Sequence, residues 1–286
     1  MLILLTNDDG IYAPGLAAFE RELRELGDVV VVAPATEQSG VGHSITYLTP
    51  LIVKEVFRND EAGGDHHWGW AVEGSPADCV KLGIQEFCPR QPDLVVSGIN
   101  GGLNAGINVL YSGTVAAAVE GAFFGVTSVA VSLEFDEHAR FGDAARLARD
   151  VIRQILEKKG PGPELYNLNI PTAALGGVPE VCIAPMNVQR YGDTFQKRSD
   201  PWGRDYYWLM GGPPAATAGE TDLSALDKGK VSLTPLDYDL TRRAALAEMG
   251  RWKFELRAPS SSKSPVGAAF ASNIRVVRKK KKERTP

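Results

Sequence analysis

The chain has few of the residues that build covalent cross-links and structural zinc sites. It contains three cysteines, Cys79, Cys88 and Cys182. An odd number of cysteines without a C-x-x-C pair argues against a disulfide framework and against a structural zinc site. The same pattern fits a reducing compartment.

Long apolar runs are also lacking. The apolar stretch over residues 1–5 has no basic residue before it, and Asn7, Asp8 and Asp9 end it at once. It is therefore shorter than the core of a secretory signal, and no stretch approaches the ~18 apolar residues of a membrane span. We expect a cytoplasmic protein that makes no contact with a membrane.

Basic residues are unevenly distributed along the chain. The formal net charge is −4, yet residues 275–286 hold seven lysines and arginines and a single glutamate. A basic tail on an acidic body could touch nucleic acid or polyphosphate. A solvated, disordered terminus is the commoner role of such a segment, so we base no function on it.

The first 160 residues alternate between strand and helix patterns. Apolar and β-branched runs predict strands over 2–5, 28–33, 94–97 and 128–133. Apolar residues at helical spacing predict helices over 14–26, 75–87, 114–124 and 141–156. Strands separated by helices indicate parallel crossover connections. We therefore predict an α/β fold in which a mostly parallel sheet carries helices on both faces.

The rest of the chain is less regular. Residues 35–73 predict a hairpin or a loop excursion, and further strands are expected over 165–170, 181–184, 231–233 and 253–256. A segment rich in aromatic residues, glycine and proline predicts a β-rich arm, about 187–242, that covers the site or a partner subunit. We expect one domain over 1–258 and a basic tail over 259–286, which a Ser/Pro linker begins.

Polar residues gather where the predicted strands end. The loops after three strands read NDDG at 7–10, EQSGVGHS at 37–44 and GINGGLNAG at 98–106. In an open parallel sheet, ligands bind outside the carboxyl ends of the strands. We therefore expect the functional site at this edge of the sheet.

Asp8 and Asp9 are the most informative pair at this edge. Two carboxylates packed at a strand end repel each other unless a proton or a cation lies between them. Hard divalent cations prefer oxygen ligands of this kind. The alternative is a plain turn, since Asn, Asp and Gly favour tight turns and an Asp can cap the following helix.

The glycine-rich loop at 98–106 suits an anion. Its glycines let backbone N–H groups converge, and Ser112, Gly113 and Thr114 place hydroxyl and N–H groups at a predicted helix start. The alternative is a flexible loop followed by a capping serine. Neither G-x-x-x-x-G-K-[ST] nor G-x-G-x-x-G occurs here, so a phosphorylated substrate is favoured over a nucleotide cofactor.

Two further features are weaker candidates. His43 lies in one of the site loops, where it is either a general acid or base or a histidine that makes local hydrogen bonds. The aromatic residues of 191–208 could stack on a base, although packing in strands and interfaces is their commoner role.

Taken together, the motifs resemble the SurE family, the stationary-phase survival proteins that act as 5′/3′-nucleotidases. The matching motifs are TNDDG at 6–10, APG at 13–15, VVAP at 31–34, QSG at 38–40, GSPADCV at 74–80, VSGINGGLN at 96–104, YSGTVAAAVEG at 111–121, DPWGRDYYW at 200–208 and VSLTPLDYDLT at 231–241. The resemblance covers about residues 1–242. Glu220-Thr221-Asp222 departs from the family's Gly-Thr-Asp, and the segment after 258 has no counterpart in the family.

The resemblance implies a Rossmann-like three-layer α/β/α sandwich whose C-terminal arm joins dimers or tetramers. It implies one divalent cation, Mg²⁺ or Mn²⁺, held at Asp8, Asp9, Ser39 and Asn100. The phosphate pocket is then lined by Gly40, Asn104, Ser112, Gly113 and Thr114. The implied substrates are nucleoside 5′- and 3′-monophosphates, with short polyphosphate in some members.

In the mechanism that we expect, water attacks the phosphoryl group, Asp8, Asp9 and Asn100 are catalytic, and the glycine loop and helix start stabilise the developing charge. A covalent Asp8 nucleophile would follow the haloacid-dehalogenase pattern, but Gly10 stands where that pattern needs a second Asp.

The alternative function is a regulatory module that binds a nucleotide or metal–phosphate ligand without turnover. A glycosyltransferase-like enzyme fits less well, because the second half does not repeat the βα pattern.

Overall fold

The computed structural model describes residues 1–59, 64–189, 192–211 and 219–256. By its internal contacts the chain divides into two units, Met1–Asp239 and Leu240–Pro286. The predicted domain end at 258 and the predicted tail over 259–286 lie outside the described residues, so both stay predictions.

The first half of the chain contains the predicted alternation of strands and helices. Its elements are β1 (Leu2–Thr6), α1 (Pro14–Leu23), β2 (Asp28–Pro34), β3 (Val53–Asn59), β4 (Asp65–Val72), α2 (Pro76–Leu82), β5 (Leu94–Gly101), α3 (Gly113–Phe123), β6 (Thr127–Leu133) and α4 (Phe141–Lys158). Helix α2 continues as a π-helical turn over Gly83–Phe87. The irregular stretch over 35–73 contains the β3–β4 hairpin, one of the two outcomes that the sequence predicts.

The second half adds more strands than helices. Its elements are β7 (Leu165–Ile170), β8 (Val181–Ile183), β9 (Thr194–Ser199), β10 (Asp205–Met210), α5 (Asp222–Asp227), β11 (Val231–Leu236) and α6 (Arg243–Met249). The prediction of a strand over 253–256 is wrong, because these residues are irregular. Helices α5 and α6 are not among the sequence predictions.

One sheet joins most of the strands, in the order β3-β4-β2-β1-β5-β6-β7-β11-β8. Its β3–β4 and β7–β11 pairs are antiparallel, and its other pairs are parallel. The prediction of a mostly parallel sheet is therefore confirmed. Strands β9 and β10 form a separate antiparallel hairpin within the predicted arm.

Helices cover both faces of the sheet. Ile3 and Leu5 of β1 belong to the core that contains α1 and α4, whereas Leu4 belongs to the core that contains α2. This alternation follows from the two-residue period of a strand. The result is the three-layer α/β/α sandwich that the sequence predicts. No helix among the described residues is long and apolar enough to cross a membrane.

A close approach of two strands shapes the sheet edge near the site. A Cβ atom on Gly98, whose φ is +143°, would lie 2.4 Å from the Val131 carbonyl oxygen of β6. Only glycine fits a contact this close. The β5–β6 register shifts between Ser97 and Asn100, and beyond this irregularity the chain reaches the candidate ligand Asn100.

Candidate active site

A pocket of ≈ 180 Å³ lies where β1, β2 and β5 end. It is lined by Asp8, Ser39, Gly40, Asn100, Asn104, Asn108, Tyr111 and Ser112. Its volume lies below the ~300–1,000 Å³ of drug-sized ligand sites, so it suits a phosphate group rather than a whole nucleotide. The fold therefore brings six predicted residues together and adds Asn108 and Tyr111.

Asp8 is held in place from two sides. Its side chain is buried, with the residue only 4% exposed, and its Oδ1 accepts a hydrogen bond of 2.5 Å from the Thr114 hydroxyl of α3. Its backbone carbonyl accepts a 2.8 Å bond from the Gln38 N–H. These contacts join the loop after β1 to the loop after β2 and to the start of α3.

Asp9 joins the same loop to the end of β5. Its Oδ2 accepts a hydrogen bond of 3.2 Å from the Gly101 N–H. Burial, followed by the neighbouring Asp8 charge, raises the pKa of Asp9 to about 6. Burial likewise raises the pKa of Asp8, although hydrogen bonds from Thr114 partly oppose it. Two adjacent carboxylates are thus held where their negative charges are unfavourable.

The chemistry of these donors fits a hard divalent cation. Among the described residues, no lysine or arginine forms an ion pair with Asp8 or Asp9. A cation between them would supply the missing positive charge. The described residues also contain no group of three or more His, Cys, Asp and Glu that could hold a metal ion. A cation at this pocket would therefore need neutral oxygen ligands in addition to the two carboxylates.

Asn100 and Ser39 supply neutral oxygens beside the carboxylates. The Asn100 Nδ2 donates a 2.6 Å hydrogen bond to the Gly102 carbonyl, so its Oδ1 is the atom suited to a cation. The Ser39 hydroxyl donates a 2.6 Å bond to Glu37 Oε1, and its oxygen keeps acceptor capacity. Two carboxylates, an amide oxygen and a hydroxyl oxygen match the preference of Mg²⁺ or Mn²⁺.

The start of α3 faces the pocket with hydrogen-bond donors. Ser112 caps this helix, because its Oγ accepts a 3.1 Å bond from the Val115 N–H, and its own hydroxyl hydrogen remains available as a donor. Asn104 is fixed by a 2.8 Å bond from its N–H to Asn169 Oδ1 and a 2.9 Å bond from its Nδ2 to Ser132 Oγ. The positive end of the helix dipole adds to an anion-binding arrangement.

Asp9, Gly113, Thr114 and His43 do not line this pocket, so a metal contact by Asp9 stays a prediction. The Thr114 hydroxyl is used on Asp8, so a phosphate contact by Gly113 or Thr114 stays a prediction. His43 Nε2 lies 2.7 Å from Glu120 Oε2, and its ring stacks on Phe123. Burial alone would raise the pKa of Glu120, but hydrogen bonds from His43 and Lys81 lower it overall. An acid or base role for His43 stays a prediction as well.

Three residues of the site region are absent from the sequence predictions. Asn108 and Tyr111 lie in or just after a 3₁₀ turn over Gly106–Leu110 that leads into α3, and their position between Asn104 and Ser112 is the signal that points to them. Asp222 is fully buried. Its Oδ2 accepts a 2.6 Å bond from the Gly106 N–H, and its Oδ1 accepts a 2.8 Å bond from the Asn187 N–H.

Comparison with known proteins gives one consistent result. The family model described as Survival protein SurE matches residues 3–193. The 5′-nucleotidase SurE of Rhodopirellula baltica is 59% identical over 254 residues, which cover 88% of this chain and 98% of the relative. The 5′-nucleotidase SurE of Heliobacterium modesticaldum is 44% identical over 255 residues, which cover 88% of this chain and 92% of the relative.

A solved structure shares the fold. The crystal structure of SurE protein from Aquifex aeolicus matches with a TM-score of 0.75 at 36% identity, over 87% of this chain and 98% of that chain. Sequence and fold agree over most of the length, and the chain belongs to the SurE family.

Proposed function

We propose that this chain is a 5′-nucleotidase, a phosphomonoesterase that releases phosphate from nucleoside 5′-monophosphates. The observation that carries the proposal is the phosphate-sized pocket in which Asp8, Asn100 and Ser112 meet. Relatives named 5′-nucleotidase SurE, matched over nearly their whole length, support the same reaction here. We include 3′-monophosphates and short polyphosphate as further substrates, since the pocket suits the phosphate group that they share.

The proposal includes one divalent cation, Mg²⁺ or Mn²⁺, held by Asp8, Asp9, Ser39 and Asn100. When bound, such an ion polarises the phosphoryl group and offsets its negative charge. The adjacent carboxylates, which lack a basic partner among the described residues, and the two neutral oxygens beside them support this assignment.

The chain's own groups then orient the substrate and the attacking water. The Ser112 hydroxyl at the start of α3 donates to a phosphate oxygen, where charge increases in the transition state. The Thr114 hydroxyl holds the Asp8 carboxylate and the Gln38 N–H holds its backbone, so Asp8 is placed to orient a water molecule against the phosphorus. Donors and carboxylates that are fixed before substrate binds need little reorganisation during the reaction.

We further propose that two or four copies assemble through the β9–β10 hairpin, because every residue of its two strands is exposed in the single chain. We also place the protein in the cytoplasm, a proposal that its three free cysteines support. The basic tail lies outside the described residues, so its contact with nucleic acid or polyphosphate stays a prediction.

The competing function is a module that binds a metal–phosphate ligand without turnover. Incubation of the protein with AMP or p-nitrophenyl phosphate, in the presence of Mn²⁺ or Mg²⁺, separates the two functions. We expect inorganic phosphate to accumulate over many turnovers. Stoichiometric binding of AMP without phosphate release would favour the regulatory module.

A further inference from the structure

A second cavity, of ≈ 790 Å³, uses the same two loops as the active-site pocket. The loop after β1 contributes Asp8 to the pocket and Tyr12 to the cavity, and the loop after β2 contributes Ser39 to the pocket and Gln38 to the cavity. The Gln38 N–H donates to the Asp8 carbonyl at 2.8 Å. Residues of both loops therefore line both spaces.

A further part of the cavity wall is held in place before any ligand arrives. The Ser75 hydroxyl donates a 2.7 Å hydrogen bond to the Ser44 carbonyl, and the Thr46 N–H donates to the Asp78 carboxylate at 3.1 Å. Asp78 is only 2% exposed, and it also completes the cap of α2. A wall held in this way costs little ordering entropy when a ligand binds.

The charge of the cavity disfavours a second phosphate. The Lys54 ammonium is paired with Glu73 at 3.0 Å, and Glu55 adds a further carboxylate to the lining. Carboxylates accept hydrogen bonds from O–H and N–H groups, which the ribose hydroxyls and the amino groups of bases provide. Tyr12 is 77% exposed, so its ring is open to stacking by a planar group.

We propose that this cavity is the nucleoside subsite, which holds the ribose and base while the phosphate lies in the active-site pocket. The proposal rests on the nucleotidase function above. A nucleoside monophosphate would extend from the pocket into the cavity, with its base on Tyr12 and its donor groups near Glu55. The volume of the cavity lies within the range of sites that enclose drug-sized ligands.

Two inhibitors of AMP hydrolysis test the two spaces separately. Adenosine has no phosphate and should compete through the cavity, whereas inorganic phosphate should compete through the pocket. For Tyr12→Ala we expect the KM for AMP and the Ki for adenosine to rise about tenfold, the effect of losing one stacking contact. The Ki for phosphate should stay at its wild-type value. Glu55→Gln should raise the same two constants by a smaller factor.

Tyr47→Ala is the matched control, because Tyr47 is 86% exposed and does not line the cavity; it should change none of the three constants. The inference is overturned if adenosine does not inhibit the wild type. It is also overturned if Tyr12→Ala and Glu55→Gln leave adenosine inhibition unchanged, or if they raise the Ki for phosphate equally. A wild type that releases no phosphate from AMP would instead contradict the nucleotidase proposal itself.

Discussion

At the scale of single residues, the site depends on a close approach between α3 and the loop after β1. A Cβ atom on Gly113 would lie 2.9 Å from Asp8 Cβ and 3.1 Å from Asp8 Oδ2. Glycine therefore lets the start of α3 come near enough for the next residue, Thr114, to bond the Asp8 carboxylate. The helix start both presents donors to the pocket and holds the carboxylate.

We predict that Gly113→Ala lowers kcat/KM for AMP by about tenfold or more. The added methyl group must displace Asp8 by a few tenths of an ångström, and a shift of about 1 Å can cost about 100-fold in rate. Gly142→Ala in α4 is the matched control, because no atom lies within 4 Å of its Cβ position. Steady-state kinetics of both variants check the prediction, and equal activity in the two would contradict it.

Ser112 has two roles that substitution can separate. It caps α3, and its hydroxyl is proposed to donate to phosphate. We expect Ser112→Ala and Ser112→Gly both to lower kcat/KM by about 10- to 100-fold, the value of a hydrogen bond to a charged group. Only Ser112→Ala should also lose about 1 kcal/mol of unfolding free energy, since glycine is tolerated as a helix cap.

Urea unfolding and AMP kinetics, measured on the same preparations of the Ser112 variants, decide this point. An activity loss that follows the loss of stability, with Ser112→Gly close to wild type, would show that the hydroxyl acts through the helix alone. The metal concentration needed for half-maximal activity should stay unchanged in both variants, because Ser112 is not among the proposed ligands.

Several site residues are predictable from the sequence because they stand in short loops at strand ends. Asp8, Asn100 and Ser112 each follow a strand or precede a helix that the pattern itself marks. Asp222 has no such signal, because its partners Gly106 and Asn187 are 116 and 35 residues away along the chain. Contacts of that range appear only when the chain is folded.

At the scale of elements, a segment with a strand pattern forms a strand only where a neighbouring strand is available for pairing. The buried runs of the first half pair side by side and are predicted well. Residues 253–256 alternate between polar and apolar residues, yet they pair with no strand among the described residues, and a lone strand is unstable. The short helix α6 lacks a buried face among its described residues, so no amphipathic pattern marks it.

Asp222 joins elements that lie far apart in sequence. As the first residue of α5, it accepts bonds from the loop before α3 and from the Asn187 N–H. We predict that Asp222→Asn lowers the unfolding free energy by about 1.5–3 kcal/mol for each lost bond to the carboxylate. The amide group of asparagine can keep only one acceptor oxygen against these N–H donors.

Hydrogen exchange measures this effect locally. The Gly106 and Asn187 amides should exchange faster in Asp222→Asn than in the wild type. Asp227→Asn, at the exposed end of α5, is the control and should change stability by no more than about 0.5 kcal/mol. Unchanged exchange at Gly106 would mean that Asp222 does not hold the loop.

At the scale of the whole molecule, the β9–β10 hairpin exposes a large apolar surface. Phe195 and Leu209 are paired across the hairpin and are 69% and 59% exposed. Apolar patches of this kind mark contact surfaces. We predict that Leu209→Glu lowers the molar mass in solution from that of an oligomer to that of one 30.8 kDa chain.

Light scattering after size-exclusion chromatography measures this change. Phe135→Glu is the control, since Phe135 is 72% exposed but lies outside the hairpin, and it should leave the mass of the assembly unchanged. The interface proposal fails if the wild type is already a monomer, or if Leu209→Glu keeps the wild-type mass.

The central claim is that the pocket at the sheet edge binds a divalent cation and cleaves phosphate from a nucleotide. Phosphate release from AMP, measured before chelation, after exhaustive chelation and after re-addition of Mn²⁺ or Mg²⁺, tests it most directly. We predict turnover by the loaded protein, loss of turnover after chelation, and recovery when the ion is restored. Hydrolysis of AMP by the chelated protein at the rate of the loaded protein would contradict the account.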